Sequence, residues 1–372
     1  SSSALAALPS LESSVLTATA DSTSRAEGFL GGDGNDTLFL ASDAIGNVQA
    51  NASSENIAVA IELSIDATGE EGPPSTSFNL GGFDTQSASL STAIGFSGGD
   101  GADILNNAGL MSVLAISSAK SGSYRGGARL DSDTIGLDVV RMLNMADARA
   151  TSRGMFSGEG ADLLINTGTL DTGAISNVTL EAVSASLNYG ADFSAGIVSF
   201  DTSADSRSTA LGMDARAETL ATDNRSMLIT TATANASNLG IVTSVDYVET
   251  GASLNGSMMQ TDVESRAGAR GIQSQSSATI ANSGRIETTA NAFADSISVD
   301  AAIALAKDAG VVGGVSIQSS TLQATSNAAG LWGTNENLFF LNTGDLATVS
   351  NARTDASLVD VDVQATTTGL AF

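Results

Sequence analysis

The sequence predicts an all-β protein, a parallel β-solenoid (β-helix) of six repeats of roughly 59 residues. Two observations lead to this class: a repeat with a nearly constant period, and stretches in which apolar and polar residues alternate strictly. Helical periodicity is nowhere sustained. Repeats that cannot bury an apolar face alone are expected to stack on their neighbours, and stacked parallel strands form a solenoid.

Each repeat opens with a glycine and an apolar residue, and then continues with a Gly/Asp-rich turn, an apolar pair, an Asn and a Gly. The opening glycines are separated by 67, 59, 58, 59 and 59 residues, and they are Gly28, Gly95, Gly154, Gly212, Gly271 and Gly330. We therefore divide the chain into repeats 28–94, 95–153, 154–211, 212–270, 271–329 and a partial repeat 330–372. Residues 1–27 resemble the closing strand of a repeat. The long first repeat contains a Gly/Pro-rich insertion at 68–75, which we interpret as an exposed loop.

Two alternating stretches follow each Gly-rich segment. In the first repeat Ile57, Val59 and Ile61 alternate with Ala and Glu, and in the last repeat valines alternate with Asp360 and Asp362. A period of two indicates a strand with one buried face. We expect columns of Ile, Val, Leu and Ala inside the solenoid and Ser, Thr, Asp and Asn outside, with Asp360 and Asp362 on a solvated face. A sandwich of antiparallel hairpins also alternates, but it does not require a strict register between repeats.

An Asn recurs after the apolar pair of five repeats. Side-chain amides stacked in one column can hydrogen-bond to each other along it, as in other identical-residue ladders. We expect a structural Asn ladder here, and ligand binding is the alternative. The ladder residues are Asn107 (or its neighbour Asn106), Asn166, Asn224, Asn282 and Asn342.

The Gly/Asp turns of the first three repeats share a pattern. Residues 31–38 read GGDGNDTL, 98–105 read GGDGADIL and 157–164 read SGEGADLL. The pattern GGxGxDxUx resembles the nonapeptide of the RTX calcium-binding β-roll proteins, which are typically secreted by Gram-negative bacteria. The resemblance implies calcium as a cofactor, with Asp36, Asp103 and Asp162 as carboxylate ligands and the carbonyl groups of Gly, Asp33 or Asp100 nearby.

The resemblance covers about nine residues in each of three repeats. RTX sites form between tandem nonapeptides, whereas here each copy stands alone, so a calcium ion would sit between turns of neighbouring repeats. In the later repeats the motif decays, and Arg216 occupies its column. The alternative is that Gly-Asp-Gly is a tight turn whose Asp side chain accepts hydrogen bonds from local backbone donors.

Composition limits the classes of function. The 372 residues include 41 acidic and 15 basic ones, for a net charge of −26, with no Cys and no His. Such a surface repels nucleic acid and anionic lipid and attracts cations. The missing His and Cys exclude Ser-His-Asp catalysis, thiol nucleophiles and most transition-metal sites. Because of the acidic charge, we expect no nucleic-acid partner. Because no apolar run approaches eighteen residues, we expect no membrane insertion.

These features favour a non-enzymatic structural or adhesive protein, secreted or at a bacterial cell surface, with cell-surface polysaccharide as a candidate partner. Six rungs of about 4.8 Å give a body about 29 Å tall. Its open ends expose strand edges, so we expect a homo-oligomer or filament, unless the chain is an excerpt of a longer array. The alternatives are an ice-binding solenoid and a polysaccharide-active β-helix enzyme. The enzyme would need a cleft of acids with Arg, Lys or aromatic residues, which the sequence does not reveal.

Overall fold

A computed structural model describes residues 10–66, 75–131, 134–190, 193–216, 219–275, 279–334, 338–366 and 370–371. The insertion at 68–75 lies outside these ranges except for its last residue. Within them the chain is almost entirely β-strand, and they hold no helix that is long and apolar enough to cross a membrane. The chain is a parallel β-solenoid, as the sequence predicts.

Each repeat contributes one rung, and a rung has three faces. The short face consists of four-residue strands, namely β2 (Thr37–Leu40), β5 (Ile104–Asn107), β8 (Leu163–Asn166), β11 (Ala221–Asn224), β13 (Thr279–Asn282) and β15 (Phe339–Asn342). The first long face consists of β3 (Ile45–Asp66), β6 (Leu110–Asp131), β9 (Thr169–Gly190), β16 (Asp345–Thr366) and the first halves of β12 (Met227–Ser274) and β14 (Arg285–Gly333). The second long face consists of β1 (Ser10–Asp33), β4 (Ser75–Asp100), β7 (Thr134–Phe156), β10 (Phe193–Ala215), the second halves of β12 and β14, and β17 (Leu370–Ala371).

Equivalent strands of successive rungs pair in parallel and in register. On the short face Ala221 pairs with Leu163 of one neighbouring rung and with Thr279 of the other. Because β12 and β14 pass from one long face to the other without a break, they join both long faces into one 11-stranded sheet. Long strands of 22 to 26 residues extend about 73–86 Å, whereas six rungs rise about 29 Å. The molecule is therefore a flat slab.

The apolar core is thickest at the end of the slab where all three faces meet. The apolar residue after each opening glycine forms a column through this core, which includes the fully buried Phe96, Met155 and Met213. The ring of Phe29 in the first rung stacks on that of Phe96, with centroids 4.8 Å apart. Leu170 and Leu228 fill the neighbouring column.

The opening glycines are required because the rungs approach closely there. A Cβ atom on Gly154 would lie 2.5 Å from the carbonyl oxygen of Gly212, and one on Gly212 would lie 2.5 Å from that of Gly271. Such distances are well inside van der Waals contact, so any side chain would push the rungs apart. This explains why glycine recurs at the start of every repeat.

Small polar residues join the two long faces in the middle of the slab. The hydroxyl oxygens of Ser54 and Ser87 lie 2.6 Å apart across the interior, as do those of Ser176 and Ser206. The short side chains let the facing sheets approach closely, and buried alanines fill the space around them. The interior is therefore thin, with close walls.

In the half of the slab away from the Gly/Asp turns, the sequence-based assignment of the faces is wrong. Ile57, Val59, Ile61 and Leu63 point outward, and the side chain of Ile61 is 85% exposed, whereas Ala58 is buried. The physical reason is that a period of two distinguishes the two sides of a strand but not which side meets the facing sheet. In this half the inner sides of both long faces carry polar residues that pair with each other, together with a buried apolar cluster that includes Val140, Met142 and Phe200.

Arg125 is the clearest member of this polar interior. Its guanidinium is 1% exposed and donates to Glu62 Oε2 at 2.6 Å and to both carboxylate oxygens of Asp138, at 2.9 and 3.0 Å. Burial raises the pKa of Asp138 despite the opposing effect of the Arg125 charge. Removing Arg125 would deprive the buried Asp138 carboxylate of this compensating charge.

Candidate functional site

The Gly/Asp turns stack on one another at one end of the slab. Gly99, Gly101, Gly158 and Gly160 adopt positive φ angles of 97°, 131°, 85° and 125°, which favour glycine. The turns are joined by backbone hydrogen bonds, for example from Gly101 N to Glu159 O at 2.8 Å. The motif therefore builds a regular stack of turns.

Asp36, Asp103 and Asp162 lie in one column and each links two rungs. The backbone N–H of Asp36 donates to Asp103 Oδ1 at 2.7 Å, and that of Asp103 donates to Asp162 Oδ1 at 2.8 Å. Asp103 and Asp162 are buried. One carboxylate oxygen of Asp103 and of Asp162 thus satisfies a backbone donor of the neighbouring rung, which is a structural role between rungs and not the local turn bond of the tight-turn interpretation.

The other carboxylate oxygen, Oδ2, of all three residues is buried and has no hydrogen-bond partner within the described ranges. A Cβ atom on Gly98 would lie 2.6 Å from Asp103 Oδ2, so this oxygen packs over the glycine backbone. Burial, with a smaller contribution from the negative charge of Asp103, raises the pKa of Asp162 to about 6. These oxygens are the feature of the turns that fits a cation.

Asp33 and Asp100 lie on the exposed side of the same turns. They are register partners, and Asp100 forms a further bridge with Glu159 of the third rung. The carbonyl oxygen of Asp100 already accepts from Gly34 N at 2.7 Å. Sequence reasoning omitted Glu159 because it replaces Asp in the motif, although its position in the column could have identified it.

The turns do not gather carboxylates around a single point. Across the ranges that the structure covers, no three acidic side chains come close enough together to hold a metal ion. A calcium ion takes six to eight oxygen ligands, so here it would have to complete its shell with carbonyl groups and water. The unpaired Oδ2 atoms are carboxylate oxygens, which are suitable ligands for a cation. However, within the described ranges one carboxylate per rung does not by itself surround a metal ion.

The recurrent asparagines form a continuous ladder beside the turns. The side-chain amide nitrogens of Asn107, Asn166, Asn224 and Asn282 each donate to the amide oxygen of the next rung, over distances of 2.6 to 2.9 Å. The ladder residues are Asn107, Asn166, Asn224, Asn282 and Asn342, and the first rung has Leu40 in the same column. Because the amides bond to each other inside the core, they are not presented to a ligand.

The far half of the slab contains a second group of acids, which sequence reasoning did not bring together. Asp300 is buried and accepts a hydrogen bond from Ser257, and it lines a cavity of about 20 Å³ with Asp360 and Asp362. The last two therefore lie on the inner side of their strand, although both remain exposed to solvent at the open sixth rung. The cavity has room for about one water molecule, so it cannot admit a sugar.

A larger groove lies on the outer side of the first long face. Asp295 and Asp355 are register partners on adjacent rungs, and Arg353 donates to Asp355 Oδ2 at 2.9 Å. With Phe293 and Asn235 they line an open groove of about 420 Å³. The structure thus assembles acids, an arginine and an aromatic residue that the sequence alone did not show as a cluster.

Comparison of the chain with protein-family models, with curated proteins and with solved structures found no match.

Proposed function

We propose that this chain is a non-enzymatic structural or adhesive β-solenoid of the extracellular space or cell surface, and that its rungs continue from one copy to the next in a filament or layer. The proposal is supported by the pairing of the terminal rungs. Among the strands of the described part, β2 and β3 of the first rung and β15 and β16 of the sixth pair on one side only. Unpaired parallel edges are templates for another strand.

The side chains of the sixth rung support the same contact. Phe340 and Leu346 are exposed, but they continue two core columns in which the preceding residues, Ile280 and Ile286, are fully buried. A further rung stacked on this edge would bury them in the same way. The first rung presents the complementary edge of the same three faces, so a head-to-tail contact would propagate.

The experiment is sedimentation and negative-stain imaging of the chain over a concentration series. The double variant Phe340→Lys with Leu346→Lys places two charges in the core columns at the open edge, and it should abolish end-to-end growth. Val349→Lys is the control, because Val349 lies exposed on the outer side of the same rung. A chain that stays monomeric at high concentration in calcium would exclude the proposal.

Calcium at the Gly/Asp turns belongs to this proposal. It is supported by the buried Oδ2 atoms of Asp36, Asp103 and Asp162 and by the net charge of −26. Stacked carboxylates repel one another, and a divalent cation between rungs would offset that repulsion. Millimolar external calcium suits sites of this open kind better than cytosolic concentrations do.

A polysaccharide-active or polysaccharide-binding role is the second candidate, and the groove around Asp295, Arg353 and Asp355 is the observation that favours it. Glycoside hydrolysis uses a pair of carboxylates. Incubation with neutral and uronate polysaccharides, using the chain and its Asp295→Asn and Asp355→Asn variants, tests this role. Cleavage that one substitution abolishes would identify an enzyme, whereas binding without cleavage would identify an adhesive groove.

A further inference from the structure

The outer side of the first long face carries an aliphatic surface in the half away from the Gly/Asp turns. We define this aliphatic face as four neighbouring columns that start at Val59, Ile61, Leu63 and Leu130 and run across the rungs. Three columns of six residues and one of five contain no Asp, Glu, Lys or Arg. The rest of the chain carries a net charge of −26, so a surface region without any charged residue differs from its surroundings.

The aliphatic face is exposed at both end rungs and half-buried to exposed in the rungs between them. Ile61 and Leu63 are 85% and 67% exposed, Leu187 and Tyr189 are exposed in the third rung, and Val361 is exposed in the sixth. No described element covers them. These side chains cannot turn inward, because the alternate positions of the same strands already fill the interior.

Many of those inward positions are polar. Asn188 donates to Asp246 Oδ1 at 2.7 Å, and both residues are buried, as are Arg125 and Asp300. In this half of the slab the outer columns are thus apolar, whereas the interior combines hydrogen-bonded polar residues with an apolar cluster that includes Met142, Phe200 and Val242. The apolar columns contribute nothing to the core of one chain, so their burial has to come from outside it.

The size of the aliphatic face matches that of a protein interface. Four columns about 7 Å apart and six rungs about 4.8 Å apart cover about 28 by 29 Å, or about 810 Å². The largest apolar patch of a monomer is typically about 300–600 Å². A standard interface buries about 800 Å² on each partner.

We propose that a second copy of this chain covers the aliphatic face with its own aliphatic face, in a two-fold contact. Two flat sheets with the same rung spacing can pack face to face about 10 Å apart, as in a sandwich. The four columns themselves carry no charge, and the nearest carboxylates, Glu181 and Glu249, lie at the edges of the aliphatic face. Pairing of the aliphatic faces therefore opposes no like charges within the contact.

Tyrosines at the edge of the aliphatic face fit the same arrangement. The rings of Tyr189 and Tyr247 stack with centroids 5.0 Å apart. The Tyr189 hydroxyl donates to Glu249 Oε1 at 3.3 Å, and the Tyr124 hydroxyl donates to Glu181. Each ring thus adds apolar area while its polar end bonds to a carboxylate, as is common at the boundary of interfaces.

This face-to-face contact is separate from the end-to-end contact proposed above, and the test separates them. It uses the edge-blocked background Phe340→Lys with Leu346→Lys, in which end-to-end growth is removed. In that background Leu63→Lys with Leu187→Lys should raise the dimer Kd at least about 100-fold in sedimentation velocity. The matched control is Leu80→Lys with Leu90→Lys, since both leucines are exposed on the outer side of the other long face. The control should leave the dimer Kd unchanged.

Salt provides a second readout. An apolar contact between two highly acidic copies should tighten as NaCl is raised, because salt screens their mutual repulsion. An edge-blocked chain that is monomeric at every concentration and salt would overturn the proposal, and so would equal effects of the two leucine pairs. Flotation of the edge-blocked chain with phosphatidylcholine vesicles, lost in Leu63→Lys with Leu187→Lys, would assign the face to lipid and also overturn it.

A milder pair of variants covers the case in which the edge-blocked chain does not fold. The chain has no cysteine, so single thiols can be followed directly. Leu187→Cys should react with maleimide at least about 10-fold more slowly in concentrated than in dilute protein, whereas Leu90→Cys should react equally fast in both. Equal rates for Leu187→Cys at both concentrations would contradict burial of the aliphatic face by a second copy, whatever the ends of the slab do.

Discussion

The side-chain amide nitrogen of Asn166 donates to the amide oxygen of Asn224 at 2.7 Å, and both residues are buried in the core between rungs. Neither amide could find these partners within its own rung. The contact exists only because one rung stacks on the next with the same residue in the same place. The hydrogen bond between Asn166 and Asn224 is therefore direct evidence that the rungs stack in register.

Replacement of an interior ladder residue should be costly. Asn224→Ala removes the acceptor for Asn166 and the donor to Asn282, leaving buried polar groups unpaired. We expect a loss of about 1–3 kcal/mol in the free energy of unfolding for each unsatisfied group. Denaturant unfolding measures it. Asn342→Ala, at the exposed end of the ladder, is the control and should cost much less.

The glycine column should tolerate no side chain. Gly212→Ala would place a Cβ atom 2.5 Å from Gly271 O and 2.6 Å from a methyl group of Leu228, so the rungs must separate locally. Overpacking of this kind costs about 1–3 kcal/mol, seen as a lower Tm. Gly268→Ala is the matched control, because nothing lies within 4 Å of its added Cβ. Equal Tm values for both variants would show that the rungs are not closely stacked at Gly212.

The buried carboxyl of Asp246 should make stability depend on pH. Burial raises its pKa to about 6, although hydrogen bonds from Asn188 and Ser253 oppose the shift. Because the folded chain holds this proton more tightly than the unfolded chain, stability should fall as pH rises from about 4 to about 6. The full contribution of a shift of about two units is about 2–3 kcal/mol.

Asp246→Asn should flatten the stability profile over that pH window, as measured by denaturant unfolding at pH 4, 5, 6 and 7. Asp162, whose pKa is also raised to about 6, contributes equally to both profiles. Asp147→Asn removes a carboxylate from the outer side of the second long face and serves as the control. A profile of Asp246→Asn as steep as that of the unmodified chain would show that Asp246 is not the titrating group.

Calcium should stabilise the fold through the Gly/Asp turns. At constant ionic strength, calcium should raise the Tm, and simultaneous Asp36→Asn, Asp103→Asn and Asp162→Asn should abolish the increase. Asp33→Asn with Asp100→Asn tests whether the exposed side of the turns takes part. An unfolding curve that EDTA leaves unchanged would exclude the site and leave these carboxylates with their hydrogen-bonding role alone.

The sequence alone determined the period of the repeat, the solenoid class and the column in which each repeated residue lies. Gly212, Met213 and Asn224 recur at fixed positions, and parallel stacking in register turns a fixed position into a column. Only the tertiary structure decided which side of a long strand faces inward. Ile61 lies outside and Glu62 inside. Inside the slab Glu62 pairs with Arg125 of the same long face, and Arg125 also pairs with Asp138 of the other long face. Both partners belong to the next rung. Alternation along one strand contains no information about the charges that another rung will place opposite it.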